Sequence, residues 1–135
     1  MKKKLDCILL IDDDYEDNMF HKIIINEMDM CHRIDTVENG IEAITYLKKE
    51  NQKPPELIFL DINMPKMNGW EFLEQYKHLD ATQKSKIVIM ILTTSANPDD
   101  IKKAKEIQDL IGFETKPLSK EVLTEILNRH FQNYL

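Results

Sequence analysis

Short apolar runs alternate along the chain with longer intervals in which apolar residues recur every three or four positions. The runs are CILLI at 7–11, RIDTV at 33–37, LIFL at 57–60, IVIMIL at 87–92 and IGFET at 111–115. Segments that are apolar throughout, rather than alternating, suit strands buried on both faces of a parallel sheet. In the intervals Phe20, Ile24 and Met28 mark one helix, Ile41, Ile44 and Leu47 a second, and Trp70, Phe72, Leu73 and Tyr76 a third. Ile101, Ala104 and Ile107 mark a fourth, and Val122, Leu123, Ile126, Leu127 and Phe131 a fifth. This periodicity predicts helices. Asn97 followed by Pro98, and Ser119 followed by Glu121, add helix-start chemistry in front of the last two. The pattern predicts five βα units folded as one three-layer α/β domain.

Composition narrows the function classes. At 135 residues the chain is long enough to bury a core without disulfides or structural metal, and residues 1–135 are expected to be a single domain with no output domain attached. The formal net charge of −6 argues against direct nucleic-acid binding, which rests on many Lys and Arg contacts. Lys2, Lys3 and Lys4 read as a solvated start. Cys7 and Cys31 lack metal or redox spacing and read as reduced thiols, while no apolar stretch is long enough to span a membrane, so a cytoplasmic location is expected. His21, His32, His78 and His130 share no spacing with the acids and are expected on helix faces or the surface.

Candidate chemistry lies at the strand ends. Sites in open parallel sheets form beyond the carboxyl ends of the strands, where strand order reverses. In a flavodoxin-like sheet of order 2-1-3-4-5 the first and third strands are neighbours, which brings Asp12 and Asp13 next to Asp61. Two like charges ~4 Å apart repel by roughly 4 kcal/mol at an effective dielectric near 20, so a cation is needed. An all-oxygen donor set favours a hard ion, and Mg²⁺ is expected. The fourth strand ends in Thr93, Thr94 and Ser95, and the fifth leads to Lys116 and Pro117. A hydroxyl and an ammonium facing a carboxylate and a metal suit a transferring phosphoryl group, whose oxygens carry the negative charge.

The pieces LLIDDD, LIFLDINMPKMNGWEFL, ILTTS and FETKPLS, in that order, resemble the receiver domain of two-component response regulators in its single-domain, CheY-like form. The resemblance implies that Asp61 accepts a phosphoryl group from a sensor histidine kinase. It implies that Asp12, Asp13, Asp61 and the backbone carbonyl of Asn63 hold Mg²⁺, with Asp12 acting largely through a bound water. Thr93 and Lys116 would take phosphoryl oxygens, Thr94 would restrict access, and Asn63 and Ser95 would tune self-dephosphorylation. Phe113, where many relatives carry Tyr, would turn inward with Thr93 as the switch, and the bond before Pro117 is a candidate cis peptide. Asp14 reads as a helix-start residue.

The chain would then be no metabolic enzyme, catalysing only its own phosphorylation and dephosphorylation. It would signal through the face built from the fourth helix, fifth strand and fifth helix, as a monomer or a weak phosphorylation-dependent dimer. The alternative is a relay carrier that passes the group to a histidine phosphotransfer protein. An aspartyl phosphatase of the haloacid-dehalogenase type is a further alternative, disfavoured because Asn63 stands where that chemistry needs an acid.

Overall fold

The computed structural model describes residues 4–49, 52–80, 84, 87–94, 97–108 and 110–131. Strands β1 (Leu5–Ile11), β2 (Cys31–Val37), β3 (Leu57–Leu60), β4 (Val88–Thr93) and β5 (Leu110–Thr115) alternate with helices α1 (Tyr15–Met28), α2 (Gly40–Leu47), α3 (Gly69–Tyr76), α4 (Pro98–Lys105) and α5 (Lys120–His130). All pairings are parallel and the sheet order is β2-β1-β3-β4-β5, the flavodoxin-like arrangement the pattern predicts.

Burial follows strand position. Every residue of β3 is buried and only Asp6 of β1 is exposed, whereas the edge strands β2 and β5 have no fully buried residue. On one face of the sheet Ile8, Leu10 and Phe59 pack with Ile25, Leu123 and Leu127 from α1 and α5. On the other, Leu9, Ile11, Ile58 and Leu60 pack with Ala43, Leu47, Phe72 and Tyr76 from α2 and α3. A smaller group of Ile62, Ile91 and Ala104 underlies α4.

β1 and β2 each begin two residues before the predicted run, because the Leu5–Cys31 pairing extends the ladder past the apolar residues. Asp14, Asn39, Asn68, Asn97 and Ser119 cap the five helices, each side-chain oxygen accepting a backbone N–H three residues on.

The helix faces correct the predicted pattern. On α1 the buried positions are Asn18, His21 and Ile25, with Ile24 and Met28 half-buried, while Phe20 is 45% exposed. The helix turns two polar residues inward because each finds a partner there: Asn18 Nδ2 donates to the Asp12 carbonyl at 3.0 Å, and His21 Nε2 accepts the Leu118 N–H at 3.4 Å. His21 is therefore a core residue. On α2, Ala43 and Leu47 are buried and Ile41 is exposed; Ile107 lies past the end of α4. Among the described residues no helix is long and apolar enough to cross a membrane.

Candidate functional site

Register decides which strand ends meet. Ile11 pairs with Leu60, so Asp12 and Asp61 leave adjacent strands at the same level. Backbone bonds continue the ladders beyond the strands: Asp61 N–H donates to the Ile11 carbonyl at 2.9 Å and Asp12 N–H to the Val37 carbonyl at 3.0 Å. Lys116 N–H donates to the Thr93 carbonyl at 2.7 Å, which fixes the third and fourth contributors against each other.

The loop after Asp61 is held equally closely. Gly69 N–H donates to the Ile62 carbonyl at 3.1 Å, and Gly40 N–H reaches across to the Met67 carbonyl at 3.0 Å. Lys66 takes a left-handed backbone with φ of 64°. At Gly69 a Cβ would stand 2.7 Å from both the Asp61 carbonyl oxygen and Ile62 Cα, so only glycine lets α3 begin this close to the loop that follows β3. Asn68 and Glu71 complete a capping box at that start.

The side chains converge. Asp12, Asp13 and Asp61 offer carboxylate oxygens that lie within 4.8 Å of one another, the first and last buried and Asp13 exposed. Lys116, with a side chain 7% exposed, places its Nζ 2.5 Å from Asp12, 2.8 Å from Asp17 and 3.5 Å from Asp61. Burial disfavours its charge, but the hydrogen bonds it donates to Asp12 and Asp17 outweigh that and hold the ammonium above the usual lysine range. Burial pushes the Asp12 carboxyl up to about 6 against the pull of Lys116. One ammonium thus faces a crowd of acids.

Thr93 closes the site. It is fully buried, and its Oγ1 has no hydrogen-bond partner among the described residues. A buried hydroxyl left unpaired is disfavoured by roughly 1–3 kcal/mol unless a ligand satisfies it. Three carboxylates repelling one another by a few kcal/mol per pair, on the order of the Coulomb value at a dielectric near 20, fit a hard divalent cation supported by oxygen donors. The donor set therefore suits Mg²⁺.

Asn63 is exposed, and its N–H donates to Asp61 Oδ1 at 3.3 Å. Thr94 is exposed. Ser95 lies outside the described residues. Phe113 is half-buried against the Ile62, Ile91 and Ala104 group, and it lines a groove of about 340 Å³ with Ile101, Lys105 and Leu110. The Lys116–Pro117 bond is cis. Asp14 accepts the Asp17 N–H at 3.0 Å as the cap of α1.

Sequence reasoning missed Asp17, Asn18 and His21, which tie α1 to Lys116, to the Asp12 backbone and to Leu118. The available signal was the spacing of Asn18, His21 and Ile25 along one helical face. Polar residues at buried helical positions imply partners.

Residues 8–128 match the model of the family described as "Response regulator receiver domain". A solved two-component response regulator from Cytophaga hutchinsonii superposes with a TM-score of 0.88 at 32% identity, covering 96% of this chain and 99% of that one. The Mn²⁺-bound form of response regulator Rcp1, a Synechocystis protein, superposes with a TM-score of 0.72 at 27% identity over 90% of this chain and 88% of that one. Sporulation initiation phosphotransferase F from Bacillus subtilis is 29% identical over 91% of both chains. Other curated relatives are longer, and the chain spans 27%, 65% and 54% of the length of three of them.

Proposed function

The chain belongs to the response regulator receiver domain family, and from that membership we propose that it accepts a phosphoryl group on Asp61 from a sensor histidine kinase and changes its partner binding in response. Receiver domains are signalling domains, not metabolic enzymes, and act in two-component systems. The observation that carries the reading here is the convergence of Asp12, Asp13, Asp61 and Lys116 at the ends of adjacent strands.

In the proposed step a carboxylate oxygen of Asp61 attacks phosphorus. An O–P bond forms as the P–N bond to the donor imidazole breaks, and the electron pair leaves with that nitrogen. Lys116 is 3.5 Å from Asp61 and neutralises charge on one phosphoryl oxygen. Thr93 donates its otherwise unpartnered hydroxyl to another. Asp12, Asp13, Asp61 and the Asn63 carbonyl would hold Mg²⁺, which when bound supplies positive charge for the remaining oxygen. Asn63, exposed beside the acceptor, and Ser95 are the positions that set access of water to the product. Thr94 narrows the approach.

Thr93 also connects the site to an output surface. It is the last residue of β4, and Phe113 sits in the adjacent strand where Ile91 pairs with it. Drawing the Thr93 hydroxyl toward a phosphoryl oxygen favours a state in which Phe113 packs inward. The half-buried edge strand β5 and the groove it forms with α4 supply the apolar surface a target protein, or a second copy in a weak dimer, would read. A relay role is favoured by similarity to a protein named a phosphotransferase that the chain matches over nearly its whole length. In that reading Asp61 passes the group on to a histidine phosphotransfer protein.

Intact mass after incubation with acetyl phosphate tests the chemistry. A gain of one phosphoryl group that requires Mg²⁺ and is absent in Asp61→Asn is expected. An adduct that survives Asp61→Asn would contradict the reading.

A further inference from the structure

Lys116 has three carboxylate partners, of which the proposed acceptor chemistry needs only Asp61. Its Nζ stands closer to Asp12 and Asp17, at 2.5 and 2.8 Å, than to Asp61 at 3.5 Å. The ammonium is therefore displaced from the acceptor toward α1. Asp17 is not a member of the carboxylate cluster of Asp12, Asp13 and Asp61, and its side chain, 34% exposed, pairs with a lysine side chain that is 7% exposed.

Local structure fixes where Asp17 sits. Asp14 caps α1 by accepting the Asp17 N–H at 3.0 Å, and Asn18, the next residue, donates to the Asp12 carbonyl. These two bonds seat the first turn of α1 against the end of β1. Asp17 then faces the tip of β5 across 99 residues of sequence. An acid in the first turn of a helix is also favoured by the helix dipole, but that role needs no contact with a buried lysine.

We infer that Asp17 is a positioning residue that holds Lys116 on the α1 side in the unphosphorylated chain and competes with the phosphoryl group for it. This rests on Asp61 as the acceptor. Pairing of Lys116 with a phosphoryl oxygen on Asp61 then requires the ammonium to loosen its bond to Asp17. Asp17 would set how readily the site fills without itself touching the transferred group. Exposure makes it adjustable: a partner covering the start of α1 could strengthen or release the hold.

The test is the affinity for beryllofluoride, a phosphoryl mimic, in Mg²⁺ buffer, read by fluorine NMR for the unchanged chain, Asp17→Asn, Lys116→Ala and the double variant. Asp17→Asn should bind about fivefold more tightly, the scale of one partly exposed ion pair, and the gain should vanish when Lys116 is Ala. Equal or weaker binding by Asp17→Asn overturns the inference, as does a gain that persists without Lys116. Failure of the unchanged chain to bind would instead overturn the acceptor reading, and the inference with it.

A second measurement needs no ligand. The Lys116 ammonium protons should exchange with water faster in Asp17→Asn or, where the Asn amide oxygen takes over as acceptor, in the shorter Asp17→Ser. Unchanged exchange in both would show that Asp17 does not hold the lysine.

Discussion

At the scale of single residues, the site is made of groups whose ordinary preferences are overridden. His21 is 3% exposed, and its Nε2 accepts a backbone N–H, so the ring is held neutral with its proton on Nδ1. Burial, and secondarily the charge of Lys116, lower its pKa below the usual 6.5, with Asp17 pulling the other way. The unfolded chain therefore takes up a proton first as the pH falls. Stability from this residue is fully present above about 6.5 and declines below it. Asp12 acts with the opposite sign: its folded carboxyl, raised to about 6, binds a proton before the unfolded one at 3.8, which adds stability over that interval. Comparing urea unfolding of the metal-free chain and His21→Gln from pH 7.5 to 5 isolates the histidine. The variant should lose less stability on acidification; parallel profiles would show that His21 is not held neutral.

At the scale of elements, the two layers of legibility separate. Strand ends were readable because LIFL and ILLI are apolar throughout and stop at acids, so the parallel ladder fixes Asp12 and Asp61 at one level. The inner face of α1 was not, because apolar spacing pointed to Phe20, whereas hydrogen bonds to Asp12 and Leu118 turn Asn18 and His21 inward. Those partners are distant in sequence or in the backbone, and no periodicity reports them. The start of α3 is the other element-scale constraint. Gly69→Ala forces a Cβ onto the Asp61 carbonyl and Ile62 Cα, both backbone atoms with little room to give. Loss of about 1–3 kcal/mol is expected from overpacking of this kind, together with slower phosphorylation because the clash falls on the backbone of Asp61, the proposed acceptor. Chemical unfolding and acetyl phosphate kinetics on the same variant check both; full stability would mean that α3 can withdraw freely.

At the scale of the whole molecule, a parallel sheet gathers residues from four strand ends into one charged pocket, and the chain carries that cluster at the expense of electrostatic repulsion. Mg²⁺ should relieve it. Ligand binding to the folded state raises stability with the logarithm of one plus the ratio of free ligand to its dissociation constant, so millimolar Mg²⁺ is expected to raise the melting temperature of the unchanged chain. Asp13 is exposed and its substitution removes no buried contact, so Asp13→Asn should melt within a few degrees of the unchanged chain without metal, on the scale of about 0.5 kcal/mol for surface changes, and should lose the response to Mg²⁺. An undiminished response in Asp13→Asn would place the cation elsewhere.

The central claim is that the phosphoryl group arrives on Asp61, and the residue itself can be read. Borohydride reduction of the phosphorylated chain converts an aspartyl phosphate to homoserine, which peptide mass mapping then places in the sequence. The account predicts homoserine at position 61 and at no other aspartate. Its appearance at Asp12 or Asp13, or a phosphorylated chain that yields no homoserine, would contradict it.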